Sequence, residues 1–121
     1  MKVGSFFFNV IVQIIFGGFI SEDNVIGDNV FFPHGFNGIF ISGKAKIGNG
    51  CIIYQNVTIG SDEEGAPTIS DDCLIGAGAI LIGKILIEKG CKIGAGSVVQ
   101  NDIPDYSTVV PQKSRVILKR E

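Results

Sequence analysis

The sequence predicts an all-β fold, a parallel β-helix wound on a six-residue repeat. Three observations carry that prediction. Large aliphatic residues return every six positions, a small residue follows most of them four positions later, and glycine is dense along the chain. Ile20, Ile26, Ile41, Ile47, Ile53 and Ile59 fall on one register, and Ile69, Ile75, Leu81, Ile87, Ile93 and Val99 resume it. From Ile26 to Ile41 the spacing is two steps plus three residues, and from Ile59 to Ile69 it is one step plus four. A loop is expected at each break. Helical spacing fails here, because apolar residues do not recur at three and four positions.

Each hexad reads as a short strand ended by a sharp turn, with its anchor pointing inward. Four residues past the anchors stand Val30, Ala45, Cys51, Val57, Cys73, Ala79, Cys91 and Ser97. Such a turn leaves room for only a small second inward side chain. One residue past the anchors come Gly27, Gly48, Gly60, Gly76 and Gly94, expected there for backbone conformations that other residues reach at a cost. Three hexads close one triangular coil, and coils should rise about 4.8 Å each, the spacing of hydrogen-bonded strands. Every coil covers the apolar face of its neighbour, which a lone coil cannot do. The stretch from Ile26 to Val99 accounts for about four coils, and the amino-terminal segment is expected to bring the total to four to five.

The 121 residues hold one domain. Ten basic against twelve acidic side chains give a net charge of −2, with no basic stripe for nucleic acid and no charge run for a solvating tail. Cys51, Cys73 and Cys91 all occupy the small inward position. They are an odd number without zinc-ligand spacing, so they read as free buried thiols in a reducing compartment. The apolar run from Phe6 to Ile20 is broken by Asn9 and Gln13 and falls short of the roughly 20 apolar residues of a spanning helix. No small-residue cleavage site follows it. Residues 1–19 are therefore expected to pack or to face an oligomer partner rather than a membrane. Residues 20–110 form the β-helix, residues 111–121 a tail, and the protein is expected in the cytoplasm.

Five words carry a resemblance: Pro33-His34-Gly35, Gly38-Ile39-Phe40-Ile41-Ser42-Gly43, Tyr54-Gln55-Asn56-Val57-Thr58-Ile59-Gly60, Ile75-Gly76-Ala77-Gly78-Ala79 and Ile93-Gly94-Ala95-Gly96-Ser97-Val98-Val99. With them, residues 30–99 resemble the hexapeptide-repeat acyltransferases, and most narrowly the carboxyl-terminal domain of bacterial serine O-acetyltransferases. The resemblance implies a left-handed coil, an exception to the right-handed crossover rule. It also implies acetyl-coenzyme A as donor, a small hydroxyl-bearing acceptor, no metal, and a homotrimer with active sites between neighbouring prisms.

His34 is the only histidine and matches the family's catalytic base. Moving an acyl group from a thioester to a hydroxyl requires a base at the attacking oxygen, a task suited to an imidazole that titrates near neutrality. Backbone N–H groups of the glycine-rich turns are candidates to stabilise the oxyanion. The family's pantetheine-contacting positions match Gly60, Ala77, Gly78 and Ala95, although turn geometry alone also asks for small residues there. Lys113 and Arg115 follow the last coil, placed either for the nucleotide phosphates or as solvated tail residues.

Two departures from the family pattern stand out. The aspartate usual before the catalytic histidine is replaced by Pro33, which leaves open what orients the imidazole. The Arg-His pair used on the amino-acid substrate is missing from the second loop, which reads Glu64-Gly65-Ala66-Pro67. A carboxylate-bearing acceptor would lose its cationic clamp there, so a sugar hydroxyl or amino sugar stands beside serine as acceptor. Asp62, Glu63 and Glu64 are candidates to line the acceptor pocket, with a solvated loop as the alternative. A γ-type carbonic anhydrase needs three histidine ligands and is set aside. The rival from another class is a non-catalytic β-helix scaffold, because fold does not establish function.

Overall fold

The computed structural model describes residues 11, 13–21 and 23–120, and they wind into a three-sided parallel coil. Side one stacks β1 (Phe19–Ile20), β3 (Phe40–Ile41), β6 (Thr58–Gly60), β9 (Ile80–Ile82) and β12 (Val98–Val99). Side two stacks β2 (Val25–Ile26), β4 (Lys46–Ile47), β7 (Thr68–Ile69) and β10 (Leu86–Ile87). Side three stacks β5 (Ile52–Ile53), β8 (Leu74–Ile75), β11 (Lys92–Ile93) and β13 (Thr108–Val109). Pairing is parallel throughout and the anchors lie in register, as in the run Ile20, Ile41, Ile59, Leu81, Val99 down side one. The three central coils carry a strand on every side. The coil at each end substitutes an isolated bridge for one strand, Phe31 to Ile52 at the start and Ile103 to Ile87 at the finish. The count thus reaches the upper end of the expected four to five.

Burial bears out the repeat. None of the twelve anchors exposes more than 3% of its surface, and each fully buried aliphatic side chain contributes roughly 2 kcal/mol of transfer free energy. Ala45, Cys51, Val57, Cys73, Ala79, Cys91 and Ser97 are buried beside them. One occupant of the small slot is polar. Asn24, four residues past Ile20, is fully buried. Its side-chain nitrogen donates to the carbonyls of Ser42 and Ala45, and its oxygen accepts from Ser21 N at 3.0 Å. A satisfied amide in the core ties the first coil to the second without an orphaned polar group.

The glycines after the anchors act differently from expectation. Gly27, Gly48, Gly76 and Gly94 have no positive φ; they lie where the next coil's backbone passes too close for a side chain. A Cβ on Gly48 would stand 2.5 Å from Asp71 Oδ1 and 2.8 Å from the Ser70 carbonyl carbon. The left-handed residue of the turn falls two positions later, at Asn29, Gly50, Asn56, Asp72, Gly78, Gly90, Gly96 and Tyr106. Asn and Asp tolerate that region better than other side chains, which is why glycine is only one of the choices there.

The three cysteines form one column inside the corner between sides two and three. Cys51 Sγ donates to Ser70 O, Cys73 Sγ to Glu88 O and Cys91 Sγ to Pro104 O, each at 3.1 Å. Burial pushes the Cys91 thiol up. The neighbouring Cys51 thiol, and then burial, hold the Cys73 thiol well above the ordinary range.

Residues 1–10 and 12 of the amino-terminal apolar segment lie outside the described residues. Residues 13–16 are helical, and Gly17 follows with φ 64°, the left-handed cap that often ends a helix.

Gly48→Ala is expected to cost about 1–3 kcal/mol through forced overlap with the neighbouring coil. Gly60→Ala, whose Cβ would meet nothing nearer than 3.7 Å and whose φ is not positive, should be neutral or stabilise by up to about 1 kcal/mol; denaturant titration of both variants checks the pair. A thiol-specific disulfide reagent at mildly alkaline pH should label none of the three cysteines in the folded protein and all three after denaturation. A native thiol reacting as fast as free cysteine would contradict this packing.

Candidate active site

The three residues inserted between Ile26 and Ile41 form one additional turn. Phe32 takes the anchor place and packs half-buried against the core. Gly35 N then donates to Phe32 O at 3.0 Å, closing a turn with Pro33 second and His34 third. Proline presets the φ that the second place requires, so Pro33 serves the turn rather than the imidazole. A second turn follows at once: Ile39 N donates to Phe36 O at 3.2 Å, with Gly38 at φ 65° in its third place. Asn37 Nδ2 bonds His34 O at 2.8 Å and ties the two turns together. Beneath them Phe36 packs on Phe32 and Phe16, with ring centroids 4.9 and 5.9 Å away. The loop is anchored at its base while His34 itself is exposed.

The His34 side chain turns to the coil below. Its Nδ1 lies 2.8 Å from Gln55 Oε1, and its ring meets Tyr54 edge-on at 5.8 Å. Gln55 stands on the regular corner between sides three and one, two residues past Ile53. One hydrogen-bond step repeats down that corner: Asn56 N to Asn37 O at 2.9 Å, Gly78 N to Gln55 O at 3.0 Å, Gly96 N to Ala77 O at 2.9 Å. Asn37, Gln55, Ala77 and Ala95 therefore form one column, a coil apart. Pro111 continues it, since Gly94 N bonds Val109 O at 2.8 Å and the Pro111 ring lies 3.3 Å from where a Gly94 Cβ would stand. Lys113 and Arg115 come next, both exposed.

Most of the residues singled out from the sequence thus lie along one edge of the prism. His34 is at its head, Ala77, Gly78 and Ala95 run down it, and the chain bearing Lys113 and Arg115 leaves from its foot. Gly60 does not join them. It is buried at the far end of side one, paired with Ile82 and beside the second loop. The amides of Ala77 and Ala95 donate to no protein group among the described residues, so the edge offers backbone donors with no large side chain over them. A base held on one nitrogen, with its other nitrogen bonded to no group among the described residues, and two backbone amides likewise unpaired along the same edge suit attack on a polarised carbonyl.

The second loop folds on itself. Asp62 Oδ1 accepts from Glu64 N at 2.8 Å and Gly65 N at 3.2 Å, and Asp62 N donates to Gly65 O at 2.9 Å. Asp62 is thereby spent on the loop's own backbone, and Glu63 and Glu64 are exposed. The Lys84 stem lies under Gly65.

Gln55 is the residue that sequence reasoning missed. It sits inside one of the five words that carried the resemblance. Its place two residues past an anchor, in the coil below the interruption, was the available signal.

The repeat matches the family described as bacterial transferase hexapeptide (six repeats) over residues 66–101. The chain is 46% identical over 98 residues to a serine acetyltransferase of Bacillus subtilis (strain 168), covering 78% of this chain and 45% of that protein. It is 40% identical over 98 residues to one of Synechococcus elongatus, covering 78% and 40%. It thus spans less than half the length of these relatives. Among solved structures it is similar to the Neisseria gonorrhoeae serine acetyltransferase in complex with serine, at TM-score 0.82 and 34% identity over 92% of this chain and 46% of that one. A serine acetyltransferase in complex with CoA matches at TM-score 0.76 and 35% identity, over 83% and 41%.

Proposed function

The chain belongs to the hexapeptide-repeat, left-handed β-helix acyltransferases and is similar to their serine acetyltransferase branch, and on that premise we propose that it is an acetyl-coenzyme A-dependent O-acetyltransferase. The observation that carries the reading is the single edge joining His34 to the amides of Ala77 and Ala95, unpaired among the described residues. From Gln55 to Pro111 that edge spans three coil rises, about 14 Å, the scale of an extended pantetheine arm. With the thioester near His34, the arm would follow Ala77, Gly78 and Ala95, and the phosphates would fall toward Lys113 and Arg115. Gly60 is the weakest of these assignments, because it stands at another corner.

In the proposed reaction the acceptor oxygen bonds to the acyl carbon as His34 Nε2 takes the hydroxyl proton. The carbon–sulfur bond then breaks, and the proton passes from Nε2 to the departing thiolate. No group on the protein changes its net protonation over the cycle.

The acceptor is a hydroxyl compound. Serine follows from the likeness to the branch. The second loop favours a neutral acceptor such as a sugar hydroxyl, since its segment Glu64-Gly65-Ala66-Pro67 carries no cation for a substrate carboxylate. A screen of amino acids and sugars with acetyl-coenzyme A, read by release of free thiol, separates the two.

The assembly we propose is a trimer. Its support here is the outer face of side one, where Phe19 and Phe40 stack at 5.5 Å at one end and Val98 is 61% exposed at the other, apolar surface that a second prism would cover. Residues 20–110 are the catalytic β-helix in this reading, with 1–19 as a packing or oligomer segment and 111–121 as the tail. The cytoplasm is the proposed location. Among the described residues no helix is long and apolar enough to cross a membrane.

His34→Ala should retain the fold and coenzyme A affinity while losing about 100-fold or more in turnover. Surviving turnover would place the base elsewhere, and no saturable coenzyme A binding by the unaltered protein would sink the enzyme reading. Sedimentation at working concentration should report a trimer, and a fully active monomer would contradict an active site shared between prisms.

A further inference from the structure

We propose that Gln55 is the positioning residue for His34, fixing the ring's tautomer through a neutral amide carbonyl where a carboxylate would otherwise stand. This rests on the acetyltransferase reading and deepens it. The Oε1 atom that faces Nδ1 at 2.8 Å is an acceptor only. With Oε1 facing it, this bond forms when Nδ1 carries the hydrogen, which leaves Nε2 to present its lone pair. A free imidazole side chain in water favours the opposite tautomer, with the hydrogen on Nε2, which has no lone pair to offer an acceptor hydroxyl. The exposed loop supplies no such constraint by itself. Its side-chain bond, from Asn37, holds the His34 carbonyl and leaves the ring alone. Gln55 comes from the regular coil, where its own carbonyl is bonded by Gly78 N. Tyr54, next to it, meets the ring edge-on and limits its swing. Two consecutive residues of one rigid corner thus orient a base carried by the coil above. The amide brings a dipole and no net charge, so its contribution is direction and tautomer rather than a charge beside the ring.

Because His34 is the only histidine, nitrogen-15 NMR of the imidazole reads this one residue directly in the full chain. The expected result is hydrogen on Nδ1 in the unaltered protein and a shift toward Nε2–H in Gln55→Leu. In the same variant kcat should fall by about 10- to 100-fold, with KM for acetyl-coenzyme A unchanged. Gln55→Glu keeps an acceptor at that point and should restore both the Nδ1–H tautomer and most of the turnover. Hydrogen on Nε2 in the unaltered protein would overturn the proposal, as would a Gln55→Leu variant that keeps both tautomer and turnover. The spectrum needs no catalysis. A protein inactive toward every acceptor would count against the acetyltransferase reading while the tautomer result still decides the role of Gln55.

Discussion

The interior of a three-sided coil admits one large side chain and one small one per side, and almost everything else in this protein follows from that limit. The strand hydrogen bonds run from each coil to the next, as between Tyr54 N and Ile75 O or Gly76 N and Ile93 O, while bonds within a coil, such as Ala45 N to Ser42 O, close only its turns. The anchors must therefore stack on their equivalents above and below. Ile41, Ile59 and Leu81 do so with no exposed surface. The limit also sets the corner chemistry. Where a neighbouring backbone passes close, as at Gly48, no side chain fits; where the chain reverses, a left-handed residue such as Gly50 or Asn56 is needed.

The fold was legible in the sequence because the constraint is periodic. Twelve anchors on one step predicted twelve buried residues, and the two breaks in the step predicted the two loops. What the period could not separate was two reasons for glycine. Crowding by the next coil and a left-handed φ both select it, and only the distances around Gly48 assign that site to crowding. Asn24 illustrates a different limit. An asparagine at the small inward place reads as a poor core residue until its three partners, Ser21, Ser42 and Ala45, are in position around it.

The geometry of the candidate site was partly legible for a related reason. His34 announces itself by being the only imidazole and by standing where the repeat fails. Ala77 and Ala95 share a corner because they hold the same hexad place three hexads apart, one full coil, and Gly78 adjoins the first of them. Gln55 occupies the same place as Ala77 and Ala95, one and two coils earlier, yet its contact with His34 depends on how the inserted turn folds back. No spacing rule encodes that. Gly60 shows the converse: a matching word in the sequence lies at the other end of a strand once the coil is wound.

The column from Asn37 through Gln55, Ala77 and Ala95 to Pro111 has a consequence for how such a protein changes over time. Each member is separated from the next by one full coil, so the head and foot of the edge stand apart by a whole number of identical increments. Gain or loss of a coil between them would lengthen or shorten the proposed cofactor track by a single fixed quantum while leaving every local turn as it is. A change within a turn, such as the three residues that lift His34 outward, alters the chemistry at one end and leaves the track's length untouched. Reach and reactivity are thereby independent variables, the first counted in coils and the second written in the interruptions.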